Sequence, residues 1–170
     1  MNPLGEDFSL MRTSLVPSLV NVAVKNLNKN NNEGRFFEYA AVYLAKELPL
    51  KELPDERKKI CLVCYGENED FYTIKGVVEK LLSALKCKSG PVFEKDNIVY
   101  MHPGRTAKVS LNGENIGFVG ELNPVLTEKL GVDKRIYVAE LDFAMIQNDI
   151  DEKIAFKQIA KFPSVERDLA

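Results

Sequence analysis

Tryptophan is absent, histidine occurs once and cysteine three times in 170 residues. One histidine cannot build a histidine-rich metal centre. No serine sits in a strained glycine elbow to use it either, so a hydrolytic triad would need partners the chain does not display. A small, odd cysteine count in a chain long enough to form a real core argues against a disulfide framework and for a reducing compartment. Charge of one sign is also missing: 23 basic against 25 acidic residues leave a net of -2, too balanced for a broad nucleic-acid face. The longest apolar run, Ile60 to Tyr65, is far too short to cross a bilayer, and the N-terminus has no basic-then-apolar leader pattern. A cytoplasmic protein without membrane contact is expected. Neither G-x-x-x-x-G-K-[ST] nor G-x-G-x-x-G occurs, which removes the two commonest phosphate cradles.

What is present is periodicity. Leu15, Leu19, Val20, Ala23, Val24 and Leu27 recur at helical spacing, with Thr13 or Ser14 available as a cap and Pro17 in the first turn, where its missing N–H costs little. "RFFEYAAVYLA" reads as a strand, and "KELPLKELPDERKK" as a charged connection. A strand over Lys59 to Tyr65 precedes an amphipathic helix marked by Ile74, Val77, Val78, Leu81, Leu82 and Leu85. Gly76 inside that helix costs about 1 kcal/mol against alanine, so it is expected to admit a neighbouring backbone. Asn112-Gly113 between "TAKVSL" and "NIGFVGEL" is a strong hairpin signal. Asn123-Pro124 opens a short helix that Gly131 stops; "RIYVAELDF" is a further strand, and "FAMIQNDI" a short helical piece. Strands in antiparallel order with helices between them predict an α+β fold.

Candidate chemistry is sparse. Cys61 and Cys64 form C-x-x-C, but in a strand residues three apart point to opposite faces, so they read as buried structural thiols. His102-Pro103-Gly104-Arg105 reads as a turn before the hairpin, with Arg105 free to hold a carboxylate of this chain or of a partner. Arg12, beside the first helix, is placed to meet a phosphate at a helix N-terminus or to form an interface salt bridge. The lysines of "GVVEKLLSALKCKSG" read as a solvated helix face.

The order of segments says more than any one of them. "NPLGEDFSLMRTSLVPSLVNVAVKNLN", "FFEYAAVYL", "DFYTIKGVVEKLL", "HPGRTAKVSLNGENIGFVGELNPVLTEKLG", "YVAELDF" and "KFPSVERDLA" together resemble the beta subunit of bacterial-type phenylalanyl-tRNA synthetase across nearly the whole chain. Val16 and Ser18 depart from the usual "MRTSLLPGLL". The resemblance implies a class II aminoacyl-tRNA synthetase catalytic-like fold, an antiparallel sheet flanked by helices, over residues 1–158 and incomplete at its N-terminal side. Residues 159–170 are then the truncated start of a ferredoxin-like anticodon-binding domain.

The resemblance also implies a pseudo-active site. An active class II site takes an arginine from motif 2 to the ATP α-phosphate; the matching stretch here is Ala41-Val42-Tyr43-Leu44, and leucine cannot donate to an oxyanion. The motif 3 region corresponds to "YVAELDFAMI", without the glycines or the arginine. No catalytic, cofactor-binding or metal-ligating residue is therefore expected. Arg12, Leu15, Leu19, His102, Gly104 and Arg105 are the candidate subunit-interface or shaping residues. The implied partner is the catalytic alpha subunit, with phenylalanine tRNA bound by the complete heterotetramer and ATP and Mg²⁺ used at alpha. Self-association of the isolated chain is a further expectation. The rival expectations are a tRNA-contacting module, against which the balanced charge weighs, and an independent ATP-using ligase, against which Leu44 weighs.

Overall fold

The computed structural model describes residues 9–151; the expected domain start at 159–170 lies outside the described residues. Helix α1 (Val16–Leu27) is followed by strands β1 (Gly34–Leu44) and β2 (Asp55–Tyr65), then helix α2 (Phe71–Ala84). Strands β3 (Val92–Lys95), β4 (Met101–Leu111) and β5 (Glu114–Leu122) lead to α3 (Pro124–Lys129), β6 (Tyr137–Asp142) and α4 (Phe143–Asp149). One six-stranded sheet runs β1-β2-β6-β5-β4-β3 with every neighbour antiparallel. The α+β class expected from the strand order is the fold observed.

Apolar residues cover both faces of this sheet, each under its own helices. Ile74, Val78 and Leu82 of α2 and Ile146 of α4 pack on Leu62, Val109, Val119 and Leu141. On the other face Leu15, Leu19, Val20 and Ala23 pack on Val42, Val63, Leu122 and Val138. Each fully buried leucine or valine contributes about 1.5–3 kcal/mol relative to an exposed one. The C-x-x-C pair straddles the sheet as its spacing requires, with Cys61 in the α1-side core and Cys64 in the α2-side core. Burial pushes both thiols far up from their ordinary range, which makes them poor nucleophiles.

Local signals set the ends of the elements. Asp70 caps α2 by accepting the Thr73 N–H (2.7 Å), and Asn123 caps α3 by accepting the Val125 N–H (3.0 Å) ahead of Pro124; α1 takes Leu15 and not Thr13 or Ser14 as its N-cap, with the Ser14 hydroxyl accepting the Val16 N–H from one residue further out (3.1 Å). Asn112 and Gly113 both take positive φ, 49° and 80°, as a two-residue type I′ hairpin needs.

Three further expectations are corrected, and one strand was not expected at all. The strand expected from Lys59 begins at Asp55, because Asp55 to Lys58 continue the ladder opposite Leu44 to Ala41; backbone pairing at an exposed end needs no apolar pattern. β3 was hidden by its brevity and exposure. Gly76 admits no neighbouring backbone: a Cβ there would meet nothing within 4 Å. His102 to Arg105 do not form a turn before a strand. They lie inside β4, where the pairing with β5 shifts between Met101 and Thr106. Proline and glycine suit a bulge as well as a turn, since both interrupt a ladder.

Candidate functional site

The segment entering α1 is fastened to the sheet at a corner that gathers Arg12, Ser14, Leu15, Glu38, Lys59 and Glu140. Arg12 donates from Nε to the Ala41 carbonyl (3.0 Å) and from a terminal nitrogen to Glu38 Oε1 (2.6 Å). Glu140, in β6, is 4% exposed. Its Oε1 accepts the Ser14 hydroxyl (2.8 Å) and the Leu15 N–H (2.7 Å), and its Oε2 accepts Lys59 Nζ (2.8 Å). A buried carboxylate is tolerated only when paired and hydrogen-bonded, and here three donors, two from the segment entering α1 and one from β2, meet that demand. Gly117 makes the corner compact: a Cβ there would stand 2.0 Å from the Glu140 carbonyl oxygen. Leu15 and Leu19 themselves are core residues, 0% and 5% exposed, and so shape the molecule from within.

The bulge in β4 serves a second buried carboxylate, on the opposite face of the sheet. Glu121, 1% exposed, accepts Arg105 at 2.8 Å and faces Arg135 at 3.8 Å. The expected carboxylate for Arg105 is thus one of this chain. His102 Nδ1 accepts the Gly104 N–H (3.0 Å), and the His102 carbonyl accepts the Thr106 hydroxyl (2.7 Å), which fixes the bulge from within. A Cβ on Gly120 would lie 2.6 Å from the Arg105 carbonyl, so that glycine lets the bulge press on β5. Tyr137 stands opposite Glu121 in the ladder; burial, then the Glu121 charge, push its hydroxyl up, and Arg135 and Arg105 pull it back.

Structure brings Arg12, Leu15 and Leu19 together on one side and His102, Gly104 and Arg105 on the other; it does not bring the two groups into one site. The residues that organise both, Glu140, Lys59 and Glu121, were not singled out from the sequence. For the two glutamates the only signal was an acid inside an apolar strand, "VAELD" and "FVGEL", since a carboxylate in such a place must have a partner. A cleft of about 460 Å³ opens beside the corner, lined by Ser14, Val16, Val20, Tyr100, Leu122 and Leu126 among others and mainly apolar. Among the described residues, no three or more His, Cys, Asp or Glu side chains gather to hold a metal ion. Leu44 closes β1 opposite Asp55 and offers no donor. What the arrangement does chemically is hold helix to sheet and strand to strand.

Fold and site together define an α+β module on an antiparallel sheet, whose buried charges are engaged in its own architecture. The family model for the phenylalanyl tRNA synthetase beta chain CLM domain matches residues 1–143, and the chain belongs to that family. It is 35% identical over 169 residues to the phenylalanine–tRNA ligase beta subunit of Clostridium tetani and 37% identical over 170 residues to that of Clostridium acetobutylicum. Both matches take in 99% of this chain and 21% of the relative. The Bacillus subtilis beta subunit is 34% identical over 177 residues, again 99% of this chain and 22% of the relative. The chain thus spans about a fifth of the length of the curated relatives it matches.

Proposed function

We propose that the chain is the non-catalytic, class II-like module of a phenylalanine–tRNA ligase beta subunit, and that it packs against the catalytic alpha subunit of the enzyme that attaches phenylalanine to its tRNA. The observation that carries this reading is the state of the two places where an active class II site grips ATP. Leu44 stands at the motif 2 arginine position, and the motif 3 stretch carries Glu140, whose oxygens already accept three donors of this chain. The residues present do not fit a nucleoside triphosphate: an apolar leucine and an anionic, acceptor-only carboxylate give its phosphates nothing to bind. Two missing phosphate arginines would remove several kcal/mol of transition-state stabilisation, about 3 kcal/mol for each such donor. ATP and Mg²⁺ are therefore assigned to the alpha subunit, phenylalanine tRNA to the assembled enzyme, and the cytoplasm to both.

Self-sufficiency of the corner supports a scaffold role. A functional carboxylate is usually left short of partners so that substrate can complete it, whereas Glu140 is complete without one. The test is a calorimetric titration of the chain with the alpha subunit of the same organism. Saturable binding at equal stoichiometry is expected, and absence of binding at tens of micromolar would sink the reading.

A further inference from the structure

Among the described residues β1 is an edge strand, and they cover only one end of its outer rim. The Tyr43 N–H donates to the Arg12 carbonyl (2.8 Å), and the Ala41 carbonyl accepts Arg12 Nε. Odd-numbered residues of β1 therefore turn their backbone groups outward, while even-numbered ones bond to β2. The N–H and C=O of Arg35, Phe37 and Tyr39 face outward too, and no described residue pairs with them. Phe37 is 74% exposed and Tyr39 50%. Sheets usually blunt such an edge with proline or with unpaired charge. This stretch has no proline, and its charges are already neutralised, Arg35 by Glu69 (2.8 Å) and Glu38 by Arg12 (2.6 Å).

We propose that this rim pairs antiparallel with the same strand of a second copy, about a two-fold axis through Phe37. Outward groups must meet outward groups, so only registers that set odd residues against odd residues are allowed. With the axis at Phe37, Phe37 faces its counterpart and Arg35 faces Tyr39, which satisfies all three outward N–H and all three outward C=O groups of each copy. Sliding the partner by two residues one way sets Arg35 against Ala41, whose carbonyl Arg12 already holds. Sliding it the other way sets Tyr39 against Glu33, which lies outside the strand. The chosen register also stacks the Arg35 guanidinium of each copy on the Tyr39 ring of the other and lays the two Phe37 rings together, on the sheet face that carries α2. Nothing in this pairing depends on the alpha subunit.

Sedimentation of the purified chain over a thousandfold concentration range should show a species of twice 19.1 kDa growing in at the upper end. Phe37→Lys places two ammonium groups face to face and should weaken the dimer at least tenfold with an unchanged far-ultraviolet spectrum, because this side chain contributes little to the core. In a Cys87→Ser background, Phe37→Cys should give a disulfide-linked dimer on mild oxidation. The Cα atoms of a hydrogen-bonded antiparallel pair lie about 5.5 Å apart, within a disulfide's span. Arg35→Cys should link only when mixed with Tyr39→Cys. A chain that stays monomeric throughout, a dimer indifferent to Phe37→Lys, or cross-linking of Arg35→Cys with itself overturns the pairing. So does a monomeric chain in which Phe37→Lys abolishes binding to the alpha subunit, which would assign the rim to that partner.

Discussion

Removing the charge of Glu140 tests whether the corner at α1 is architecture or a retained active-site group. In Glu140→Gln the amide oxygen can still accept the Ser14 hydroxyl and the Leu15 N–H, but the amide nitrogen turns a donor toward Lys59, which now approaches at 2.8 Å. Breaking a fully buried pair costs about 3–5 kcal/mol. Lys59 is 21% exposed and can swing its ammonium to water, so a smaller loss of about 2 kcal/mol is expected. At a typical urea m-value of about 2 kcal/mol/M that is a fall of about 1 M in the unfolding midpoint, with m unchanged. Glu140→Ala strands all three donors and should lose about 3–5 kcal/mol. The Glu140→Gln and Lys59→Met losses should be sub-additive by about 1 kcal/mol, as befits partners in one network. Groups kept for catalysis commonly hold a protein below its stability optimum. A midpoint that is unchanged or higher in Glu140→Gln would thus refute the architectural assignment.

Further substitutions probe other parts of the argument. Gly76→Ala, with open space where the methyl goes, should stabilise by about 1 kcal/mol and raise the melting temperature by about 2–4 °C in a scanning experiment. Gly117→Ala should destabilise by about 3 kcal/mol or more, since its methyl would collide with the Glu140 carbonyl at a φ of 148°; a midpoint within error of the parent in urea would contradict that. Tyr65 is buried with its hydroxyl unpartnered among the described residues, so Tyr65→Phe should gain about 1 kcal/mol in the same assay. The Asp70 carboxyl is held below its ordinary 3.8 by the Thr73 N–H and then the Thr73 hydroxyl. A depressed folded value means stability that is full above 3.8 and lost as pH falls through the lower folded value. Asp70→Ala should therefore be less stable than the parent at neutral pH, with the gap closing in acid unfolding curves below pH 3.8.

Helices were legible because their signals are local. Leu15, Leu19, Val20 and Ala23 repeat within two turns, and Asn123-Pro124 and Gly131 mark the ends of α3 within eight residues. The Asn112-Gly113 hairpin was legible for the same reason. Glu140 was not, because its partners Ser14 and Leu15 lie 126 and 125 residues away, and no spacing rule reaches that far. His102 to Arg105 misled because the composition of a turn and of a bulge is the same; only Gly120, which yields to the Arg105 carbonyl, distinguishes them, and its role appears once the strands are paired. Of the candidate residues, Arg105 was expected to hold a carboxylate, and the sheet order supplies Glu121; Arg12, expected to meet a phosphate or an interface partner, instead pairs with Glu38 of its own sheet.

The central claim is that this module does no ATP chemistry of its own, and the most direct measurement is a calorimetric titration of the chain with ATP and excess Mg²⁺. The account predicts no saturable heat up to millimolar ATP, at a concentration where the alpha subunit still binds the chain. Saturable ATP binding that disappears on mutating Arg12 or Arg105 would contradict it and place a phosphate site where the structure shows only internal salt bridges.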